Sequence, residues 1–466
     1  MITLTLEKKS KIPLYEQLYL HMKSEIQNGT YPYRTRLPSK RRLADHLQCS
    51  LNTVQNAYSQ LIAEGYITSS AKSGFFVSKL DGILKMDAQT VTPAKNQDAA
   101  PLCRYDFSHQ GVDAESFPYS VWRKLTREVI SEYDPELLKP GNSQGDYRLR
   151  ASIAGYLRQS RGVRCSPEQI VVSSGTEFLL QLLIQLFDER CVYALENPGY
   201  EKLNLIFNSN RALFAGIPLD EDGMIPEELV KSRADVACVT PSHQFPTGRI
   251  MPVARRIRLL NWANEKAERY IVEDDYDSEF KYSGRPIPSL QGLDTGEKVI
   301  YIGAFSKSLA PSVRVSYAVL PERLLKVYRE KLNFYICPVP AIEQKTLCRF
   351  MEDGHFERHL NRMRNIYRKK RETLVTAVRQ LLPGVRILGA NAGLHLLVEI
   401  ENGMSEKELI GAARALGVRV YGLSRYLFDG KGPDVPAILL GYAAMKQCDI
   451  ERAVGLLKSA WFPAAS

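Results

Sequence analysis

Large apolar side chains recur every three to four residues from Ile12 to Asn28 (Tyr15, Leu18, Tyr19, Met22 and Ile26), and Gly29 follows as a stop, which predicts an amphipathic helix. A second helix is predicted from Pro38 and Ser39, burying Leu43 and Leu47. A third is capped by Ser50, buries Val54, Ala57, Tyr58, Leu61 and Ile62, and ends at Gly65. Its opposite face carries Leu51, Asn52, Thr53, Gln55, Asn56 and Gln60. Residues 66–77 alternate apolar and polar, broken by Lys72, Ser73 and Gly74, and read as a two-stranded hairpin. Three helices and a hairpin in that order predict a winged helix-turn-helix, whose third helix enters the major groove of double-stranded DNA while flanking basic residues hold phosphates.

The pattern then changes. Residues 81–105 are polar and weakly patterned, as in a linker. From 106 to 466 apolar strands alternate with amphipathic helices, the signature of a mostly parallel sheet covered on both faces, with ligands gathered at the carboxyl ends of the strands. The chain thus divides into a head at 1–80, a connection at 81–105 and a body at 106–466, and 466 residues are too many for one ordinary core.

Charge agrees with a polyanion partner for the head. The net charge is +10, and residues 1–80 hold eleven Lys or Arg against five Asp or Glu. The eight cysteines are scattered without CxxC or His-containing zinc spacing, so no metal site is predicted. No apolar stretch approaches the roughly 20 residues that span a bilayer, so neither a leader nor a membrane partner is expected and the location should be cytoplasmic.

The chemistry concentrates in residues 298–317, KVIYIGAFSKSLAPSVRVSY, where Lys307 follows an apolar strand and Arg314 stands seven residues later. A lysine can form an imine with pyridoxal 5'-phosphate, and a guanidinium can clamp its phosphate. Residues 170–173 read as a strand, Gly175 and Thr176 as a turn, and 177–187 as a helix whose first amides favour a phosphate, although SSGTE alone also reads as a plain helix cap. The strand from Tyr270 delivers Asp274, Asp275 and Tyr276, with Asp274 lying 33 residues before Lys307. A carboxylate there can stabilise the protonated ring nitrogen of the cofactor, and Tyr276 can donate to its phenolate oxygen. Asn197, Pro198, Gly199 and Tyr200 form a turn that sets an aromatic ring near the same place.

The segment RLPSKRRLADHLQCSLNTVQNAYSQLIAEGYI resembles the GntR-type winged helix. That resemblance assigns DNA contacts to Arg41, Asn52 and Thr53; the polar face adds Ser50, Gln55 and Asn56, with an A·T-leaning readout expected from the amides. Leu51 stands where the family usually has Arg. The body resembles the class I and II aminotransferases of the type I pyridoxal-phosphate fold, including a smaller C-terminal α+β subdomain. This likeness implies an imine at Lys307, phosphate contacts from Arg314, Ser306, Gly175 and Thr176, a ring-nitrogen contact from Asp274, a phenolate contact from Tyr276, ring stacking by Tyr200, and an effector-carboxylate grip by Arg425. Lys202 could reach the far end of an effector. The whole chain, with SFPYSVWRKL, TPSHQFPTG, EDDYDSEF and NAGLHL, resembles the MocR family of regulators.

The resemblance implies a homodimeric transcriptional regulator that senses an amino acid or amine through an external aldimine, with weak or no transaminase turnover. The alternatives are an active aminotransferase carrying a regulatory head, and a regulator sensing pyridoxal phosphate itself. Ala304 replaces a hydroxyl residue common before the lysine, and Phe245 stands where many aminotransferases have Asn; His243 and Gln244 are candidate substitutes, or loop anchors.

Overall fold

The computed structural model describes the chain except residues 1–3, 5, 8–9, 11, 71–72, 80–102, 283–287, 429–434 and 464–466. Most of the expected linker, and Lys72 of the hairpin turn, lie outside the described residues. The chain forms two compact units that divide between residues 100 and 101.

In the first unit, helices α1 (Leu14–Gln27), α2 (Lys40–His46) and α3 (Leu51–Ala63) pack on a three-stranded sheet of β1 (Arg36–Leu37), β2 (Ile67–Ser70) and β3 (Gly74–Val77), ordered β1-β3-β2. The hairpin was legible, whereas β1 was not, because a two-residue strand carries no alternation to read. The Ser39 hydroxyl accepts from Arg42 N at 3.3 Å and that of Ser50 from Thr53 N at 3.1 Å, so both predicted caps are made. Leu18, Met22, Leu43, Val54, Ala57, Tyr58 and Leu61 form the core. Ile62 is exposed instead of buried, and Leu47 is only half-buried. Ile62 lies about 100° around α3 from the fully buried Leu61, off the edge of the stripe formed by Val54, Ala57, Tyr58 and Leu61.

The second unit is built on an eight-stranded sheet. Its strands are β5 (Ile170–Ser173), β6 (Val192–Asn197), β7 (Leu213–Asp220), β8 (Gly223–Met224), β9 (Val236–Val239), β10 (Tyr270–Asp275), β11 (Val299–Ala304) and β12 (Ser316–Val319), ordered β5-β12-β11-β10-β9-β6-β7-β8. Neighbours from β7 through β11 are parallel, whereas β12 runs against both β11 and β5, and the short β8 against β7. The sheet is therefore mixed, with a parallel centre. Its middle strands are buried along nearly their whole length, as the continuous apolar runs VACV and VIYIG require of a sheet covered on both faces.

A smaller antiparallel sheet of β13 (Arg386–Leu388), β14 (His395–Glu399), β16 (Tyr421–Gly422) and β17 (Ala437–Gly441) packs with the helices His355–Leu381, Glu406–Ala415 and Gln447–Trp461 around its own core. A two-strand ladder of β4 (Tyr105–Asp106) with β15 (Val418–Arg419) ties the start of this unit to it. Among the described residues no helix is long and apolar enough to cross a membrane.

Candidate functional site

A cavity of about 200 Å³ opens at the carboxyl ends of β5, β6, β9, β10 and β11. Gly175, Thr176, Tyr200, Asp274, Tyr276, Ser306, Lys307 and Arg314 all line it, so segments separated by up to 139 residues meet in one place. Arg425 does not line it; its Nε donates to Glu201 at 2.5 Å and its guanidinium lies over the Tyr421 ring.

Strand alternation sorts the acidic run of β10. Glu273 and Asp275 point to one face: Glu273 accepts from Leu290 N and Gln291 N, both at 2.8 Å, and Asp275 accepts from Arg161 at 2.7 Å and from the Tyr301 hydroxyl at 2.5 Å. Asp274, between them, faces the cavity. Burial, reinforced by Asp275, Asp277, Glu196 and Glu177, pushes its carboxyl up to about 7. A carboxylate in that position gains most from a cationic partner.

Lys307 lies three residues beyond the end of β11, and its Nζ donates to the carbonyl of His109. Burial lowers the amine to about 8, opposed by the charge of Asp277. An amine so placed is partly neutral near neutral pH, as a nucleophile toward a carbonyl must be.

The Arg314 end of the cavity is equally specific. Arg314 is in the left-handed region at φ 54 and its Nη2 donates to Ser174 O at 3.2 Å. Gly175, at φ 92, opens the helix Thr176–Leu186; a Cβ there would lie 2.2 Å from Arg314 Nη2. The positive φ favours glycine here, its missing Cβ leaves room for the guanidinium at the start of the helix, and a group carrying a phosphate fits the resulting cradle. The donor set, with a buried amine, a carboxylate and this cradle around one cavity, fits pyridoxal phosphate.

The fold joins residues whose partners the sequence did not show, and adds His109 and Glu196, which it did not single out. Tyr276 donates to His243 O at 2.9 Å, and its hydroxyl also lies 2.9 Å from His243 Nδ1, which is 3.0 Å from Asp277 Oδ2. His243, Asp277 and His395 bring ligand atoms within 4.8 Å of one another. Asp277 and His395 stood inside quoted motifs, but only the fold joins positions 118 residues apart. Gln244 donates to Glu196 Oε2 at 3.3 Å and to Pro198 O at 3.1 Å, which makes it a loop anchor. Phe245 is buried against the rings of His109, Tyr200 and Tyr426 at 4.8, 5.5 and 5.0 Å. Burial, with Lys307, Arg425 and Lys202 nearby, lowers His109 to about 3, so it is neutral. Burial also pushes Glu196, which lines the cavity, up to about 7 despite its bonds to Thr240 and Gln244.

In the head, Leu51, Asn52, Gln55 and Asn56 are exposed along α3 and Arg41 on α2. Thr53 is half-buried, and its hydroxyl shares a 2.8 Å hydrogen bond with that of Ser50. Ser50 is thus committed to the helix cap.

A DNA-reading winged helix joined to an aminotransferase-type body defines the class: a transcriptional regulator built from an enzyme fold. Residues 14–77 match the bacterial regulatory proteins of the gntR family, and residues 106–455 match aminotransferase class I and II. The chain is 43% identical, over 99% of both chains, to the "Uncharacterized HTH-type transcriptional regulator YdeL" of Bacillus subtilis (strain 168). It is 33% identical to the "Probable rhizopine catabolism regulatory protein MocR" of Rhizobium meliloti, over 98% of this chain and 96% of that one. The body superposes on a Pyrococcus horikoshii kynurenine aminotransferase, solved in complex with PMP, with a TM-score of 0.69 at 24% identity, covering 78% of this chain and 91% of that one. The chain belongs to the MocR-type regulators, in which a GntR-family DNA-binding domain is fused to a class I and II aminotransferase domain. Pyridoxal phosphate is the cofactor of that aminotransferase family.

Proposed function

We propose that this regulator reads a small amine or amino acid at the Lys307 cavity and reports its presence to operator DNA held by residues 1–80, with residues 81–105 as the connection and 106–466 as the sensing body. The observation that carries the reading is the shared cavity: a buried primary amine, a carboxylate that needs a cation, and a glycine-arginine cradle face one another. When bound, pyridoxal phosphate supplies an aldehyde that condenses reversibly with a primary amine.

The chain's residues supply the rest. Lys307 is the resident amine. Arg314, Ser306, Gly175 and Thr176 take the phosphate, Asp274 stabilises a proton on the ring nitrogen, Tyr276 turns its proton from His243 O to the ring oxygen, and Tyr200 covers the ring. With another amine bound in its place, Lys307 would stand as a free buried amine whose protonated form Asp277 favours. Arg425 receives the effector's carboxylate once it leaves Glu201. Phe245, an apolar ring where many aminotransferases have an amide, favours sensing over rapid turnover. In the head, Arg41 and Ser50 hold the backbone of the DNA, while Asn52, Thr53, Gln55 and Asn56 face the bases.

The protein acts as a homodimer, which gives two heads for two half-sites. The exposed Phe334, stacked on Tyr335, and the neighbouring exposed Ile336 support an apolar contact for a second copy.

The test is a screen of amino acids and amines for a change in visible absorbance of the pyridoxal-phosphate-loaded full chain, followed by operator-binding assays. The reading expects the same compounds to change both. Sustained conversion of an amino donor and a keto acid at about 1 per second or faster would make the body a working enzyme. Operator binding that responds to pyridoxal phosphate alone would make the cofactor itself the signal.

A further inference from the structure

Glu177, the second residue of the helix Thr176–Leu186, lies in the cradle just described. Its Oε2 accepts from Arg314 Nη2 at 2.9 Å, and its Oε1 lies 3.4 Å from Lys202 Nζ. A Cβ on Gly175 would lie 2.2 Å from Arg314 Nη2 and 2.8 Å from Glu177 Oε2, so the carboxylate and guanidinium meet directly over the glycine. Burial opposes ionisation of Glu177, but its own backbone N–H and Arg314, with Lys202, outweigh it and hold the carboxyl below the usual range. The group is an anion at neutral pH. An acidic residue in the first turn of a helix ordinarily answers the dipole alone. Glu177 does more: it lines the cavity and holds Nη2 of the Arg314 guanidinium.

We propose that Glu177 is a built-in competitor for the cofactor's phosphate, an internal anion that must give up Arg314 before a phosphorylated ligand can take the cradle. This rests on the reading that the cavity binds pyridoxal phosphate. Two negative groups at one guanidinium repel each other, and solvent screens part of that repulsion, because the Arg314 and Glu177 side chains are 46% and 32% exposed. Lys202 gives the displaced carboxylate a second partner, so the exchange is reversible. The consequence is selective: Glu177 lowers affinity for ligands bearing a phosphate and leaves the same ring without one unaffected. The regulator then holds its cofactor less tightly than the cradle alone would allow, and its loading follows supply.

The experiment titrates the cofactor-free full chain, wild type, Glu177→Gln and Glu177→Ala, with pyridoxal phosphate and separately with unphosphorylated pyridoxal, read by fluorescence and visible absorbance. Both variants should bind pyridoxal phosphate about ten-fold or more tightly than wild type, with pyridoxal affinity unchanged. Unchanged or weaker binding of pyridoxal phosphate overturns the competition. So does an equal gain for pyridoxal, which would place the effect away from the phosphate. A gain for Gln with a loss for Ala would show that the side chain is a needed contact and not a competitor. If the wild type binds neither ligand, the cofactor reading itself falls.

Discussion

The hydroxyl of Tyr276 and Nδ1 of His243 lie 2.9 Å apart, and Asp277 sits 3.0 Å from the same nitrogen. A carboxylate can only accept, so Nδ1–H points to Asp277 and the tyrosine proton goes to the backbone carbonyl of His243, also 2.9 Å away. His243 is buried, and removing it strands a buried carboxylate. His243→Phe should lower the stability of the body by about 1–3 kcal/mol in urea titrations. Tyr276→Phe removes a smaller contact and should leave stability nearly unchanged while shifting the visible absorbance of the loaded protein.

Asp274 gives the protein a pH signature. Its carboxyl is pushed up to about 7, against about 3.9 in an unfolded chain. Between those values the unfolded chain releases the proton while the folded one retains it. The folded state therefore loses stability as pH rises from about 4 to about 7, and no further above that. Asp274→Asn cannot titrate. In melting experiments on the cofactor-free protein, the melting temperature of the variant relative to wild type should climb across that window and level off above it. A flat difference would mean that Asp274 is ionised throughout.

The head should separate two kinds of DNA contact. Arg41→Ala should weaken binding to all sequences and reduce the salt dependence, as loss of a phosphate contact does. Asn52→Ala and Gln55→Ala should relax base preference by about 1–3 kcal/mol at individual positions of the half-site. Binding across randomised sites checks both, and a purely G·C preference would remove these amides as readers.

How far the chain could be read in advance depended on the range of each signal. Helix α1 announced itself by a packed stripe, and α3 by a stripe with a capping serine, because both signals are local. The strand-end positions of Asp274 and Lys307 were legible for the same reason, since each follows an apolar run. Arg425 was read from its motif, and the structure turns it to Glu201, a pairing with a residue 224 positions away that no local pattern carries. His109 was invisible for a similar reason: its backbone carbonyl meets Lys307 across 198 positions. Glu177 was within a quoted motif, yet its meaning lies in the approach of Arg314 across a glycine.

The central claim is that Lys307 is the amine through which a small molecule is read. The most direct measurement compares operator binding by the wild type and Lys307→Ala, each loaded with pyridoxal phosphate, with and without an amine that changes the wild-type absorbance. The account predicts that Lys307→Ala folds and binds DNA, lacks the lysine-dependent absorbance, and no longer responds to the amine. An unchanged response in the variant would contradict it.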